Sequence, residues 1–401
     1  MSLRDLTETC VHCGFCLPSC PTYQLWGEEM DSPRGRIHLL SQLLDGAPTS
    51  STVVGHFDAC LGCLACVTAC PSGVRYDEII AEARVLVEST ARRPLADRLV
   101  RAGMFALFPY PRRLRLSRGL LRFRPDPALA ARIHPTLGAL AALAPPLRRP
   151  VRLPPRVRAW GARRAVVGLL TGCVQNAFFS HVSAATARVL AREGCDVIVP
   201  RGQSCCGALA RHAGRDALAR RSARRLAATF ARAGVDTVVT DVAGCGSMLK
   251  EYESVLGTPV PWRAVDVTEY LVSLGEPLAP RRPVPLTVAY HDACHLAHGQ
   301  GVRSAPRQLL AGIPSLRVVS PRDPDVCCGS AGVYNLLQPE AAMELGRRKA
   351  QSLVDTGAEV VVAGNPGCLL QLDAALKELV GARAPRTMHT VELLDLAMRQ
   401  G

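Results

Sequence analysis

Two stretches of the chain share one cysteine pattern, Cys10-Val-His-Cys13-Gly-Phe-Cys16-Leu-Pro-Ser-Cys20-Pro21 and Cys60-Leu-Gly-Cys63-Leu-Ala-Cys66-Val-Thr-Ala-Cys70-Pro71. Both read C-x2-C-x2-C-x3-C-P, the spacing by which a chain wraps a cubane [4Fe-4S] cluster. Three thiolates on one tight loop reach three irons, and the fourth, a helical turn on and stopped by proline, points away to a second cluster. The predicted pairing is therefore crossed: Cys10, Cys13 and Cys16 with Cys70, and Cys60, Cys63 and Cys66 with Cys20. Zinc sites usually come as two separated cysteine pairs, and disulfides need an oxidising compartment. Neither explains two four-cysteine runs each closed by proline.

A chain of 401 residues implies two or three domains. Its residues are 48% hydrophobic but only 4% aromatic, so its cores should be built from Ala, Leu and Val in helices and parallel strands. Met1 to Thr9 is polar, with no basic-plus-apolar leader, and no apolar run approaches a bilayer's thickness. The expectation is a cytoplasmic protein. In that setting seventeen cysteines point to metal or redox chemistry.

The formal charge of +14 is concentrated between Arg92 and Arg164, where eighteen arginines meet only Asp97 and Asp126, a local balance of +16. Eleven prolines and short apolar pieces, Met104 to Phe108 and Leu137 to Leu143, make this segment a connector of short helices and turns. Two readings of its charge stand: a solvated arginine-rich linker, or a docking surface for a partner subunit or for anionic lipid at the cytoplasmic membrane face. Nucleic acid is not expected, because no recognition motif or interleaved aromatics accompany the arginines.

In order, residues 1–93 form a small helical domain holding both cysteine runs, with helices predicted over Pro33 to Leu44 and Tyr76 to Ser89. The amides of Gly14, Gly62 and Gly73 are placed to approach cluster sulfurs. Residues 94–164 are the basic connector. From Ala165 the chain repeats itself with a period near 122 residues, giving units at 165–262 and 263–401. Each unit reads strand, helix, strand, helix, strand, with cysteines after the strands: Cys173, Cys205, Cys206 and Cys245 in the first, Cys294, Cys327, Cys328 and Cys368 in the second. In an open parallel sheet the loops beyond the carboxyl ends of the strands line one crevice. The four thiols of each unit should converge there as further metal ligands, or else serve as small core residues. Cys195, without a counterpart, reads as a buried structural thiol. His291, His295 and His298 crowd Cys294, as ligands or as hydrogen-bond partners. The fold class is α+β overall: a helical N-terminal domain followed by a duplicated α/β domain with parallel sheets.

This layout resembles the family that contains the iron–sulfur subunits of glycolate dehydrogenase (glycolate oxidase) and anaerobic glycerol-3-phosphate dehydrogenase and the heterodisulfide reductase subunits. The resemblance is carried by both cysteine runs, Asp31-Ser-Pro-Arg-Gly-Arg-Ile37, Pro71-Ser-Gly-Val-Arg-Tyr76, Gly244-Cys-Gly-Ser and Cys327-Cys-Gly-Ser-Ala-Gly332. It implies a helical ferredoxin domain with two [4Fe-4S] clusters, two cysteine-rich repeats, and electron transfer from a partner's FAD, reduced by glycolate, toward a quinone-type acceptor. The family repeat ends in Cys-x2-Cys, whereas Val242 and Asn365 stand at the first of those positions here, leaving four of five cysteines per repeat. Hydroxy-acid oxidation calls for a hydride acceptor such as flavin or nicotinamide. No G-x-G-x-x-G follows a strand in the required context, so oxidation is expected on FAD-binding partner subunits. Iron–sulfur subunits of D-lactate or glycerol-3-phosphate dehydrogenases, a thiol/disulfide reductase and a zinc scaffold are the alternatives.

Overall fold

The structure, a computed structural model, describes residues 2–123 and 125–399. Met1, Arg124, Gln400 and Gly401, which fall within the expected domain spans, lie outside it, as do the side chains of Leu120 and Arg122.

The N-terminal part is helical. Ser32 caps the helix Pro33–Leu44 by accepting from Gly35 N–H, with proline in the first turn where no amide partner is needed. The helix Tyr76–Thr90 buries Ile79, Ile80, Ala83 and Val87 at helical spacing. These residues meet Ile37, Leu40 and Phe57 in one core that also takes in Cys60 and Cys66.

Nine strands form two sheets among the described residues: β1 (Arg156–Val157), β2 (Ala165–Leu170), β3 (Cys195–Ile198), β4 (Thr237–Thr240), β5 (Arg263–Asp266), β6 (Thr287–His291), β7 (Arg317–Val319), β8 (Val360–Ala363) and β9 (Arg386–His389). Their orders are β1-β3-β2-β4-β5 and β7-β6-β8-β9. All pairings are parallel except β1 with β3. Each repeat thus has one more parallel strand than the three expected. β5 completes the first sheet, so the expected boundary at 262/263 cuts through that sheet. β1 lies within the expected connector but pairs with the first sheet.

The repeats pack helix against helix. Ser180–Arg192 of the first packs on Thr390–Met398, the last helix of the second, and Ser304–Ala311 packs on Val267–Ser273 in the same way. One apolar core consequently runs through both units, from Val167, Val182 and Leu190 to Val288, Val362 and Leu394. Beside it Asp395, fully buried, accepts from Arg188 and Arg192 of the other repeat and from Arg399.

The basic segment is a strap of helices, Leu95–Leu107, Pro111–Ser117, Pro127–Ile133 and Pro135–Ala142. It is fastened to the body. Arg93 and Arg101 pair with Asp58, Arg156 and Arg163 pair with Asp196, and Met104 and Phe105 enter the first repeat's core beside Cys173 and Cys205. No helix among the described residues is long and apolar enough to cross a membrane.

Candidate metal centres

The N-terminal thiols gather around two places. Cys10, Cys13, Cys16 and Cys70 line one recess together with Cys66, Pro71, Arg34 and Tyr76. It lies at the surface: Cys13 is exposed, and Val11 and Phe15 beside it are 68% and 67% exposed. Arg34 braces this loop by donating to His12 C=O (2.9 Å) while pairing with Glu29. Burial pushes the Cys16 thiol up to about 11, with Cys10 and Cys20 adding to the rise.

The second place is internal. Cys20, Cys60, Cys63 and Cys66 are all buried. Burial, and then Cys63, Cys60 and Cys20, hold the Cys66 thiol well above its ordinary value, which is how a cluster of neighbouring thiols behaves in the absence of a cation. Cys60 is the exception. Burial opposes its thiolate, yet the guanidiniums of Arg36 and Arg84 bring it below the ordinary value. Arg36 is itself buried, held by His56 C=O (2.6 Å), Thr22 Oγ1 (3.2 Å) and Asp31 Oδ1 (3.1 Å). Gly62, at φ +63°, donates its N–H to Cys60 Sγ (3.4 Å). Cys70 lines the recess of Cys10, Cys13 and Cys16, and Cys20 adds to the rise of both Cys66 and Cys16. All-thiol donor sets of four on two loops fit a pair of [4Fe-4S] clusters.

In the repeats the eight thiols also converge by unit. Cys173 and Cys205 lie 3.6 Å apart and Cys206 and Cys245 3.2 Å apart. Cys294 and Cys327 lie 3.9 Å apart, while Cys328, Cys368 and His291 bring one ligand atom each within 4.8 Å of one another. Each first cysteine follows its strand after a short turn: Cys173 caps the helix Val174–Phe178 and Cys294 opens Cys294–Ala297. The glycine after each cysteine pair is required. Gly207 and Gly329 sit at φ +98° and +88°, and a Cβ would approach Ala219 C=O to 2.9 Å and Ala342 C=O to 2.5 Å on the following long helix. Cys195 is buried within β3.

The three histidines divide. His291 joins Cys328 and Cys368, and burial followed by nearby Lys349 pushes it down to about 3. His295 sets Nδ1 3.5 Å from Cys294 Sγ and Nε2 3.0 Å from His212 Nε2. His298 faces away, to Thr68 Oγ1 (2.9 Å) and Asp325 C=O (3.3 Å). Arg36, Arg84, Tyr76 and His212 were not singled out from the sequence as site residues. Arg36 and Tyr76 do lie in the Asp31–Ile37 and Pro71–Tyr76 stretches that carry the family resemblance, whereas nothing local marks His212 or Arg84. Lys250 pairs with Glu269, and Asp292 with Arg307.

The second repeat abuts the internal N-terminal site. Leu61, Cys63 and Ala65 pack with Cys294, Cys327 and Tyr334. Arg84 ties the internal site to the first repeat, donating to Cys60 C=O (2.6 Å) and lying 3.2 Å from His212 Nδ1.

Residues 7–74 match the family described as 4Fe-4S dicluster domain, and residues 167–250 and 288–373 each match the cysteine-rich domain family. The chain is 33% identical over 410 residues to the probable glycolate oxidase iron-sulfur subunit of Bacillus subtilis (strain 168), covering 96% of this chain and 92% of that one. It is likewise 33% identical over 408 residues to the glycolate oxidase iron-sulfur subunit of Escherichia coli (strain K12), covering 99% and 95%. A crystal structure of a hypothetical protein from Helicobacter pylori shares the fold, with a TM-score of 0.56 at 10% identity over 92% of this chain and 68% of that one.

Proposed function

Because the chain belongs to the family of glycolate oxidase iron–sulfur subunits, we propose that it carries electrons from glycolate, oxidised to glyoxylate on FAD-binding partner subunits, toward a quinone-type acceptor. Cys10, Cys13, Cys16 and Cys70 hold one [4Fe-4S] cluster, and Cys60, Cys63, Cys66 and Cys20 the other. When bound, such clusters exchange single electrons.

The observation that carries this reading is the contrast in exposure between the two thiol sets. The outer loop presents Val11, Cys13 and Phe15 to solvent, a small apolar tip on which a partner protein can seat. The inner set is shielded, and Cys63 packs against Cys294 and Cys327. One set therefore faces partners while the other faces the second repeat. Arg36 and Arg84 keep positive charge beside Cys60, which favours a reduced, more negative centre. The repeat thiols are proposed as further ligands, with those around Cys294 and Cys328 in contact with the inner set.

Anaerobic reconstitution should give at least eight irons per chain, two cubanes' worth at about four each. Cys20→Ser should remove the paramagnetic signal that Cys63→Ser removes, and Cys70→Ser the signal that Cys13→Ser removes. Cys294→Ser should perturb the inner signal, while Cys173→Ser should leave it unchanged. The isolated chain should not oxidise glycolate with a dye, and adding the flavoprotein subunits should restore activity. Fewer than about four irons, signals that follow the runs uncrossed, or steady glycolate turnover by the flavin-free chain would each overturn the reading.

A further inference from the structure

Between the strap and the first repeat lies a cavity of about 820 Å³, within the size range of small-molecule sites. Thr171 and Gly172 after β2 and Pro200 to Ser204 after β3 form its floor, the carboxyl ends of two adjacent parallel strands. Open α/β sheets bind ligands at that edge.

The lining is strongly basic. Arg112, Arg113 and Arg115 come from the strap helix Pro111–Ser117, Arg152 from the segment before β1, Arg201 from the turn after β3, and Arg221 and Arg225 from the helix Asp216–Arg232. No aspartate or glutamate lines the cavity, and none of the seven forms an ion pair among the described residues. Elsewhere the fold supplies carboxylates to this same segment: Arg93 and Arg101 have Asp58, and Arg156 and Arg163 have Asp196. Arg221 and Arg225 are a like-charged pair one turn apart, an arrangement that destabilises a helix. Ser183 lines the same space with its hydroxyl buried and without a hydrogen-bond partner. Val151, Leu153 and Leu218 supply an apolar wall, and Arg113 stacks over Tyr110 at 4.3 Å.

We propose that this cavity binds a small organic phosphate carrying two or more phosphoryl groups beside an apolar moiety. Guanidinium groups pair with phosphate oxygens in bidentate fashion. Charges converging from four chain segments onto one space need more than one anionic group to balance them. A lipid surface would be met by a convex basic face, whereas these arginines, all exposed, line an open concavity between the strap and the first repeat.

Titration calorimetry on the intact, anaerobically reconstituted chain tests this, with ADP and inorganic pyrophosphate as probes and ionic strength held constant with NaCl. Both should saturate at one per chain. The double variant Arg201→Glu/Arg221→Glu should weaken binding at least tenfold with the visible spectrum of the clusters unchanged. Arg201→Gln/Arg221→Gln should act in the same direction, and serves where charge reversal impairs folding. Citrate and phosphatidylglycerol vesicles form the control arms. Absence of saturable binding by both phosphates, binding untouched by both variants, citrate equal to pyrophosphate, or arginine-dependent binding to vesicles alone would overturn the proposal.

Discussion

The two cysteine-rich repeats share a skeleton and differ in what surrounds their thiols. Where the first places Leu170, Val174 and Val242, the second places His291, His295 and Asn365 at the corresponding positions. Asn365 donates to Cys368 Sγ (3.3 Å), which Val242 cannot do for Cys245. Lys349, buried and donating to Asp323 C=O, adds a cation near Cys327 and Cys328, where the first repeat has Leu226. The duplicated backbone brings four thiols together twice. The side chains at these positions then make one lining apolar and the other rich in hydrogen-bonding groups.

The severest test of the shared skeleton is a methyl group. Gly329→Ala meets both an unfavourable φ and a backbone carbonyl at 2.5 Å, and should cost roughly 3 kcal/mol. Gly207→Ala, with 2.9 Å of room, should cost less in thermal or denaturant unfolding. Equal losses would mean that the two passages are equivalent after all.

Next in size is a difference in pH response at equivalent helix caps. Asp266 caps Val267–Ser273 and His389 caps Thr390–Met398, each in a capping box. Burial raises Asp266 to about 6, against hydrogen bonds from Thr268, while burial lowers His389 to about 4. His389 Nδ1 accepts from Val391 N–H and Nε2 donates to Asp241 C=O (2.8 Å), which fixes a neutral ring. The signs oppose. Asp266 favours folding most below its unfolded value near 4, and this contribution is lost as pH rises through 6. His389 contributes above its unfolded value near 6.5 and loses that contribution as pH falls through 4. Melting curves between pH 4 and 7 should therefore lose their acid limb in His389→Asn and flatten toward neutrality in Asp266→Asn, by on the order of 2–3 kcal/mol each. Parallel behaviour of the two variants would remove this contrast.

The smallest effect expected is at the fifth position of the repeat. Removing the donor to Cys368 with Asn365→Val should slow that thiol's alkylation in the metal-free chain about tenfold, as loss of a hydrogen bond to a charged group implies. Val242→Asn should speed alkylation of Cys245. No change in either would show that the amide has no influence on the reactivity of these thiols.

Much of this was legible in the sequence. Apolar runs such as Ala165 to Leu170 and Thr237 to Thr240 mark the buried strands, because a strand covered on both faces has no polar alternation. β5 and β9 were missed because Arg263-Ala-Val-Asp266 and Arg386-Thr-Met-His389 are short edge strands that begin with arginine and end in a polar cap. The capping boxes Asp266 to Glu269 and His389 to Glu392 were their available signal. The helix packing between the repeats was not legible, since helical periodicity shows that Ser180–Arg192 has a buried face without showing what covers it. The arginine cavity escaped for a related reason: Arg112 and Arg221 are far apart in sequence, and only the strap's docking on the first repeat brings them to one space.

The unequal burial of the N-terminal thiols sets an order for the protein's maturation. Cys20, Cys60, Cys63 and Cys66 are buried, with the second repeat packed over Cys63, whereas Cys13 lies open to solvent. A delivery protein handing over iron and sulfide needs access to the thiols it serves. Under the proposed ligation, the inner set would be loaded before the C-terminal half of the chain closes over it, between synthesis of Cys70 and docking of Cys294. The outer set would stay within reach for the lifetime of the molecule, so oxidative damage there would be repairable in place, while damage to the inner set would need the chain to reopen or be replaced.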